Sequence, residues 1–411
     1  EDRFNSNTMR AAGGMYLIGR VFASGSRLYL AAIAVAMILF SNVDASSVIF
    51  AAFIMMIIGF LMTFLGGINS VIWSDLIQFI IYIGSALAVL LFLRYAIPVS
   101  NEVLLEGLAN APDAAAGTKD KLRLIDFGLD FSQPFALLSI LFGLTLLNIG
   151  SFGLDQDITQ RVLACKNAKE GGRSILISAI VAIPVIWILI SIGQLLHVFY
   201  ERPELMGADI VNGASNEFKG EKISIFMHYI LNELPAGLRG LVTVGVIAAA
   251  VSTINSGLNS MSSVIIEDFY RPWRGKTKSM PDTHFVFAGR VSMLLVGLAL
   301  FAMASLCYFW QKYTNMPLLE FALSVMVFSY SGLLGVYFTV IFTRRGSHRS
   351  VLAALAIGFL VTLFQQSYIV DILHLPEAFK SLAFSWQLCI GTSIAFLVCL
   401  AGNDQKANSA S

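Results

Sequence analysis

Apolar residues fall in runs of about twenty along this chain, separated by short polar breaks. The runs are 12–40, 46–66, 70–97, 135–156, 172–200, 239–266, 284–309, 318–343, 349–367 and 383–401. An α-helix rises 1.5 Å per residue, so about twenty residues cross a hydrocarbon core of about 30 Å. Each run is therefore expected to be a membrane-spanning helix, about ten in all, because only helices and closed barrels satisfy their backbone inside lipid. The class expected is an all-α, polytopic membrane protein. Residues 1–411 form one transmembrane domain, and the polar tail 403–411 is expected to be disordered.

The breaks between spans set the orientation. Two are long and acidic. One, 101–133, carries Glu102, Glu106, Asp113, Asp120, Asp126 and Asp130; the other, 201–235, carries Glu201, Glu204, Asp209, Glu217, Glu221 and Glu233. The short breaks that alternate with them are basic: Arg161, Lys166, Lys169 and Arg173; Arg271, Arg274, Lys276 and Lys278; Arg344, Arg345 and Arg349. Short loops rich in Lys and Arg face the cytoplasm. Residues 1–10 and the C-terminus are then expected inside and both acidic loops outside. One missed span would split the basic set between the two faces.

Composition agrees: 57% of residues are hydrophobic and 13% charged, about half the charged share of about 25% in soluble domains. The net charge of +1 points to no charged partner, and nothing suggests nucleic acid. Cys165, Cys307, Cys389 and Cys399 have neither CxxC nor metal-ligand spacing, and are read as packing thiols. The scattered histidines make no metal set. No HExxH, GxSxG, phosphate loop or nucleophile–base spacing occurs, which argues against an enzyme.

Polar groups inside the spans carry the candidate chemistry. Val246 to Ser263 reads V-I-A-A-A-V-S-T-I-N-S-G-L-N-S-M-S-S. Helical spacing places Ser252, Asn255, Ser256, Asn259 and Ser260 on one stripe, with Thr253 at its shoulder. Such oxygens serve either as glue between packed membrane helices or as ligands of a hard cation; the preference of calcium and magnesium for oxygen extends to sodium. Arg27 sits in the middle of the first span. An ionisable group there costs at least about 2.5–3.5 kcal/mol and is by default functional. Its partner is either a carboxylate on another helix or the carboxylate of a solute, which a guanidinium grips in a fork. Arg20, nearer the cytoplasmic end, is expected to snorkel. Asp75, two turns into a span and beside Ser74 and Gln78, is a cation or proton site, or else pairs with a cytoplasmic base. The fourth span holds Gly143, Gly150 and Gly153 around Asn148 and Ser151. It reads either as a broken helix lining a cavity or as close packing. Asp155 and Asp157, near Arg161, read as a capped, surface-lying turn.

Three motifs then carry a resemblance over nearly the whole chain: G-G-I-N-S-V-I-W-S-D-L-I-Q, D-Q-D-I-T-Q-R-V-L and A-A-A-V-S-T-I-N-S-G-L-N-S, with R-F-N-S at Arg3 as a weaker fourth. In order and spacing they resemble the sodium:solute symporter family. The resemblance implies a LeuT-like inverted-repeat helical bundle and sodium-coupled uptake of a small polar solute. It implies a main sodium held by the Ala249 carbonyl, Ser252 and Thr253. A second sodium, present in some members, would use Asp75, Ser252, Asn255 and Ser256; Asn255 stands where such members have a hydroxyl. Arg27 lies, by approximate spacing, near the place where sialic-acid-carrying members hold the substrate carboxylate. Asn148 and Phe152 fall on positions that face sugar in galactose-carrying members.

The chain starts at Glu1 without an initiator Met. By the family's count it begins before the third core helix, so the bundle would lack its first helices, and these residues alone are not expected to transport. The expected cell is bacterial and the expected membrane its inner one. A sodium/sugar symporter, a proton-coupled carrier using Asp75 and a solute-sensing membrane domain remain alternatives to an organic-anion symporter.

Overall fold

The computed structural model describes residues 4–402 apart from 114–116, 207–216, 219–220, 223–224, 275–280, 315, 375 and 377–381; the side chains of 65–69, 112–113, 117–119, 217–218, 221–222 and 368 also lie outside the description. Expectations for Arg3, Asp113, Asp209, Glu217, Glu221, Lys276, Lys278 and the tail 403–411 therefore fall outside it.

Helix α1, Ser6–Phe40, starts where the Asn5 side chain accepts from the Thr8 amide at 2.8 Å. It ends at Ser41, whose φ of 49° takes the left-handed turn that closes many helices. Asp44 caps α2, Ala45–Ala96, in the same way through Ser47. These short side chains satisfy amides that have no partner inside the helix.

α2 is 52 residues long and carries two apolar spans, Ala45–Phe64 and Ser70–Ala96. Thr63 meets Asn255 and Asp75 meets Ser252. A straight helix would hold Thr63 and Asp75 about 18 Å apart, while their partners stand less than one turn apart on a single helix. The axis of α2 therefore bends between its limbs, and each limb lies against the same neighbour.

The first long loop holds α3, Asn101–Ala109, and a hairpin of β1, Ala111–Asp113, with β2, Gly117–Lys119. The fourth span opens with a π-helical segment, Ser139–Leu144, and continues as α4, Thr145–Gly153. It is not broken: its glycines serve close packing. A Cβ at Gly143 would stand 2.6 Å from the Ser385 carbonyl oxygen, and Gly150 lies against the Tyr330 ring.

α5, Gln156–Leu163, follows, and then α6, Ala168–Glu201, capped by Asn167. α7, Pro203–Met206, a hairpin of β3, Glu217–Phe218, with β4, Glu221–Lys222, and α8, Ile225–Asn232, make up the second long loop. α9, Ala236–Val264, passes through a π-helical turn, Ile265–Tyr270, into α10, Arg271–Arg274. α11, Asp282–Thr314, and α12, Leu318–Phe342, are long. α13, His348–Phe364, begins at a capping box of Ser347 and Ser350; α14, Ser367–Ile372, and α15, Phe384–Leu400, complete the chain.

Among the described residues, seven stretches are long and apolar enough to cross a membrane, and three helices, Ser139–Gly153, His348–Phe364 and Phe384–Leu400, are apolar but shorter. Each of them overlaps one of the ten apolar runs of the sequence. α12 is buried along most of its length and forms the centre, whereas α6 turns Ile177, Ile183, Ile186, Trp187 and Ile190 outward. The two acidic loops lie at one end of the bundle, as alternation requires. Arg202 donates through Nη1 to the Gly107 carbonyl, and Gln194 donates to the Lys121 carbonyl at 3.0 Å.

Candidate functional site

The polar stripe of α9 faces inward. Asn255 is fully buried, and Ser256 and Ser260 are buried. Each member has a partner from another element or from its own backbone. Ser252 Oγ donates to Asp75 Oδ1 at 2.8 Å, tying α9 to the second limb of α2. The Asn255 amide nitrogen faces the Gly59 carbonyl at 3.0 Å, Thr63 Oγ1 at 3.2 Å and the Val251 carbonyl at 3.3 Å. Ser256 Oγ accepts from Arg161 Nη2 at 2.7 Å, and Asn259 Nδ2 donates to Gln160 Oε1 at 3.0 Å. Thr253 Oγ1 donates to the Ala249 carbonyl at 3.2 Å. Ala249, Ser252 and Thr253 thus present three oxygens on one turn, fewer than the six or more that hard divalent cations gather.

A chain of charges runs through the site. Arg161 Nη2 donates to Asp75 Oδ2 at 2.7 Å, and its Nε donates to Asp157 Oδ1 at 3.1 Å. Asp157 also takes Arg20 Nη2 at 3.4 Å, and Arg20 Nη1 donates to Asp155. Tyr16 donates to Asp155 at 3.2 Å. Two expectations are corrected here. Arg20 does not snorkel: it is 6% exposed, held by carboxylates of α5 and its cap. Asp155 does not lie on a surface turn: it is 4% exposed, and caps α5 by accepting from the Asp157 amide at 3.0 Å. Burying such ions is tolerated only when they are paired and hydrogen-bonded.

Of the two readings made for Asp75, the structure shows the pairing with a base. Its carboxylate also bonds a hydroxyl of the stripe, and the base is one that had been placed in the cytoplasmic loop. Arg161, Thr63 and Tyr16 were not singled out as site residues. The signal for Arg161 lay in D-Q-D-I-T-Q-R, where Asp157 and Arg161 stand four apart on a helix and share a face. Nothing in the sequence indicated Thr63 or Tyr16.

Arg27, in the middle of α1, is exposed. Its hydrogen bond is to Met326 Sδ at 3.6 Å. Among the described residues no carboxylate pairs with it, so the structural ion pair considered for it is absent. Asn148 and Phe152 stand four apart on α4, both exposed, Phe152 at 41%. Tyr330 of α12 lies beside α4, where its ring abuts Gly150.

At the end of the bundle that carries the basic loops, a cavity of about 370 Å³ is lined by Asn5, Thr8, Tyr16, Gln156 and Asp268 among others. Tyr16 joins it to the charged chain, since its hydroxyl bonds Asp155.

Comparison with known proteins places these features in a group. The family model described as the sodium:solute symporter family matches residues 10–365. The sodium/sialic acid symporter SiaT of Proteus mirabilis is 25% identical over 305 residues, which is 73% of this chain and 56% of the relative. The sodium-coupled monocarboxylate transporter 2 of Mus musculus is 25% identical over 276 residues, 66% of this chain and 40% of its own. The human sodium/iodide cotransporter is 23% identical over 304 residues, 74% and 44% respectively. The chain thus spans about half the length of the curated relatives it matches. A solved structure of a Na+-coupled sialic acid symporter, in a substrate-bound outward-open state, superposes with a TM-score of 0.73 at 21% identity, covering 98% of this chain and 77% of that one. The fold is therefore the LeuT-like bundle, in a multi-pass membrane protein. The chain belongs to the sodium:solute symporter family.

Proposed function

We propose that the protein is a sodium-coupled symporter of a small organic anion, with sialic acid the first candidate, in a bacterial inner membrane and with its C-terminus in the cytoplasm. The observation that carries the reading is the Asp75 carboxylate, inside a span and hydrogen-bonded to Ser252 of the α9 stripe at 2.8 Å. Ala249, Ser252 and Thr253 are the chain's ligands for one sodium; Asp75, Ser252, Asn255 and Ser256 offer a second position. Sodium is cargo here. It drives uptake only by the difference in its affinity for the substrate-ready state and for the alternative.

Arg27 supplies the preference for an anion. A guanidinium inside a span with no carboxylate paired to it among the described residues is open to a solute carboxylate, which completes the pair with two parallel hydrogen bonds. Asn148 and Phe152 add an amide and a ring on one open face, a surface that suits hydroxylated solutes. That observation supports a sodium/sugar symporter as the second reading.

The test is uptake by the full-length protein in proteoliposomes. Radiolabelled sialic acid should enter with a sodium gradient and not when choline replaces sodium at fixed pH. Arg27→Met should abolish competition by carboxylated solutes while sparing any by neutral sugars. Uptake that persists in choline would overturn the coupling; equal competition by neutral sugars in the unaltered protein would favour the second reading.

A further inference from the structure

The geometry points to Arg161 as a tethered competitor of sodium at Asp75. This rests on the reading of Asp75 as a sodium ligand and goes beyond it, because it gives a role to a base outside the ligand set.

One nitrogen, Arg161 Nη2, lies 2.7 Å from Asp75 Oδ2 and 2.7 Å from Ser256 Oγ. Two oxygens of the second cation position therefore converge on a single donor. A metal ion bound to both would sit at the place where that N–H group now lies, since oxygen ligands hold a cation of this size at about 2.3–2.6 Å. Two positive groups cannot share the point. Sodium entry at Asp75 requires Nη2 to leave.

The departing group has somewhere to go. Its Nε is already on Asp157 Oδ1 at 3.1 Å, one helical turn back on α5. Rotation of the guanidinium onto Asp157 keeps it paired while Asp75 is freed, and a guanidinium fork suits a single carboxylate. The charges favour the exchange. The linked set holds Arg20 and Arg161 against Asp75, Asp155 and Asp157, two positive against three negative, a balance of −1. One monovalent cation makes it neutral.

The exchange also carries information. In the arrangement seen, Arg161 ties α5 to α2 through Asp75 and to α9 through Ser256. When sodium takes its place, α5 keeps its bond to α9 through Gln160 and Asn259 but loses its hold on α2. α5 adjoins the turn that leads to α6 and the basic loop, so occupancy of the cation position is felt at that end of the bundle. Arg161 is a positioning residue in this scheme and touches no solute.

The experiment measures equilibrium binding of ²²Na⁺ to the purified full-length protein in detergent, with monodispersity checked by size exclusion. Arg161→Gln should lower the half-saturating sodium concentration about three- to tenfold, because sodium no longer breaks a charge-assisted hydrogen bond to enter. In an Asp75→Asn background the same change should have no further effect. Asp157→Asn, which removes the alternative partner, should raise the half-saturating concentration by a similar factor. The inference is overturned if Asp75→Asn weakens sodium binding while a folded Arg161→Gln leaves it unchanged or weakens it too; Arg161 is then a strut and the sodium assignment stands. It also falls if Asp157→Asn has no effect, which decides the matter should Arg161→Gln not fold. If Asp75→Asn itself leaves sodium binding unaltered, the assignment of Asp75 fails first.

Discussion

Replacing Asp155 by Asn tests whether the buried charge chain holds the bundle together. The change is nearly isosteric. Asn still caps a helix about as well as Asp, so the bond from the Asp157 amide at 3.0 Å survives. The amide oxygen still accepts from Tyr16. What is lost is the counter-ion of Arg20, a side chain 6% exposed, whose Nε already has no hydrogen-bond partner among the described residues. Removing one partner of a buried pair costs about 3–5 kcal/mol. Asp157 at 3.4 Å compensates in part, so about 2–3 kcal/mol is expected here. An unfolding entropy of about 2.1 cal/mol/K per residue, summed over 411 residues, gives about 0.9 kcal/mol/K and hence a fall of about 3 °C in Tm. Thermal unfolding of the full-length protein in detergent, followed by tryptophan fluorescence, reads this shift, with the exposed Glu170→Gln as control. Adding Arg20→Met should recover part of the loss, since no orphaned charge then remains. An Asp155→Asn protein that melts with the control, or a double variant less stable than Asp155→Asn alone, would refute the reasoning.

Other consequences can be checked separately. Ser252→Ala removes a hydroxyl shared by both proposed sodium positions, and should raise the sodium concentration needed for half-maximal uptake about tenfold or more, in keeping with about 1.5–3 kcal/mol for a bond to a charged group; unchanged sodium dependence would count against the assignment. Gly358→Ala should destabilise the α12–α13 contact by about 1–3 kcal/mol, because its Cβ would stand 2.5 Å from the Gly332 backbone; a Tm equal to the unaltered protein's would show that the helices can separate without cost. The Arg202 side chain holds the Glu204 carboxyl below its ordinary range. A depressed carboxylate pKa stabilises above the unfolded value and loses that contribution as pH falls through the folded one. Protection factors of the α3 amides, which Arg202 bonds through Gly107, taken relative to the intrinsic exchange rate at each pH, should therefore be high at neutral pH and fall on acidification below the ordinary glutamate pKa, and Glu204→Gln should abolish that dependence.

The long apolar helices were legible because each is a matter of length and polarity alone, and alternation along the chain put the two acidic loops at the same end. Even the bend in α2 was present as the polar break between 46–66 and 70–97. Burial of charge was not legible. Whether Arg20 snorkels or pairs depends on Asp155, 135 residues away, and one sequence carries no record of that proximity. The same gap hid Arg161. Its residue type and its place after a span fitted a cytoplasmic loop, and only the fold brings α5 beneath Asp75. That Arg27 lies inside a long apolar helix was legible, but that no carboxylate among the described residues pairs with it became visible only when the neighbouring helices were in place. The glycines of the fourth span left a break and close packing equally open, and only the fold decided between them: Gly143 is there because the Ser385 backbone occupies the space a side chain would need.

Asn255 is where fold stability and ion binding compete for one side chain. It stands in the proposed cation stripe, yet its amide is spent on the first limb of α2, against the Gly59 carbonyl at 3.0 Å and Thr63 at 3.2 Å, in a position with no exposure. Asn255→Ser exchanges that lock for a hydroxyl. It should cost about 1–3 kcal/mol, since a buried acceptor on α2 loses its donor, and Tm should fall accordingly. Sodium binding should move the other way. The exchange keeps the number of oxygens, one amide oxygen for one hydroxyl, but a serine hydroxyl is not held against Gly59 and Thr63 and is free to turn toward Ser252 and Ser256, so the half-saturating sodium concentration should decrease. Opposite signs in the two measurements are the signature of a residue held for packing at the expense of the ion. If stability and sodium affinity fall together, Asn255 serves the cation as well as the fold; if neither changes, the contact with Gly59 and Thr63 contributes nothing that water cannot replace.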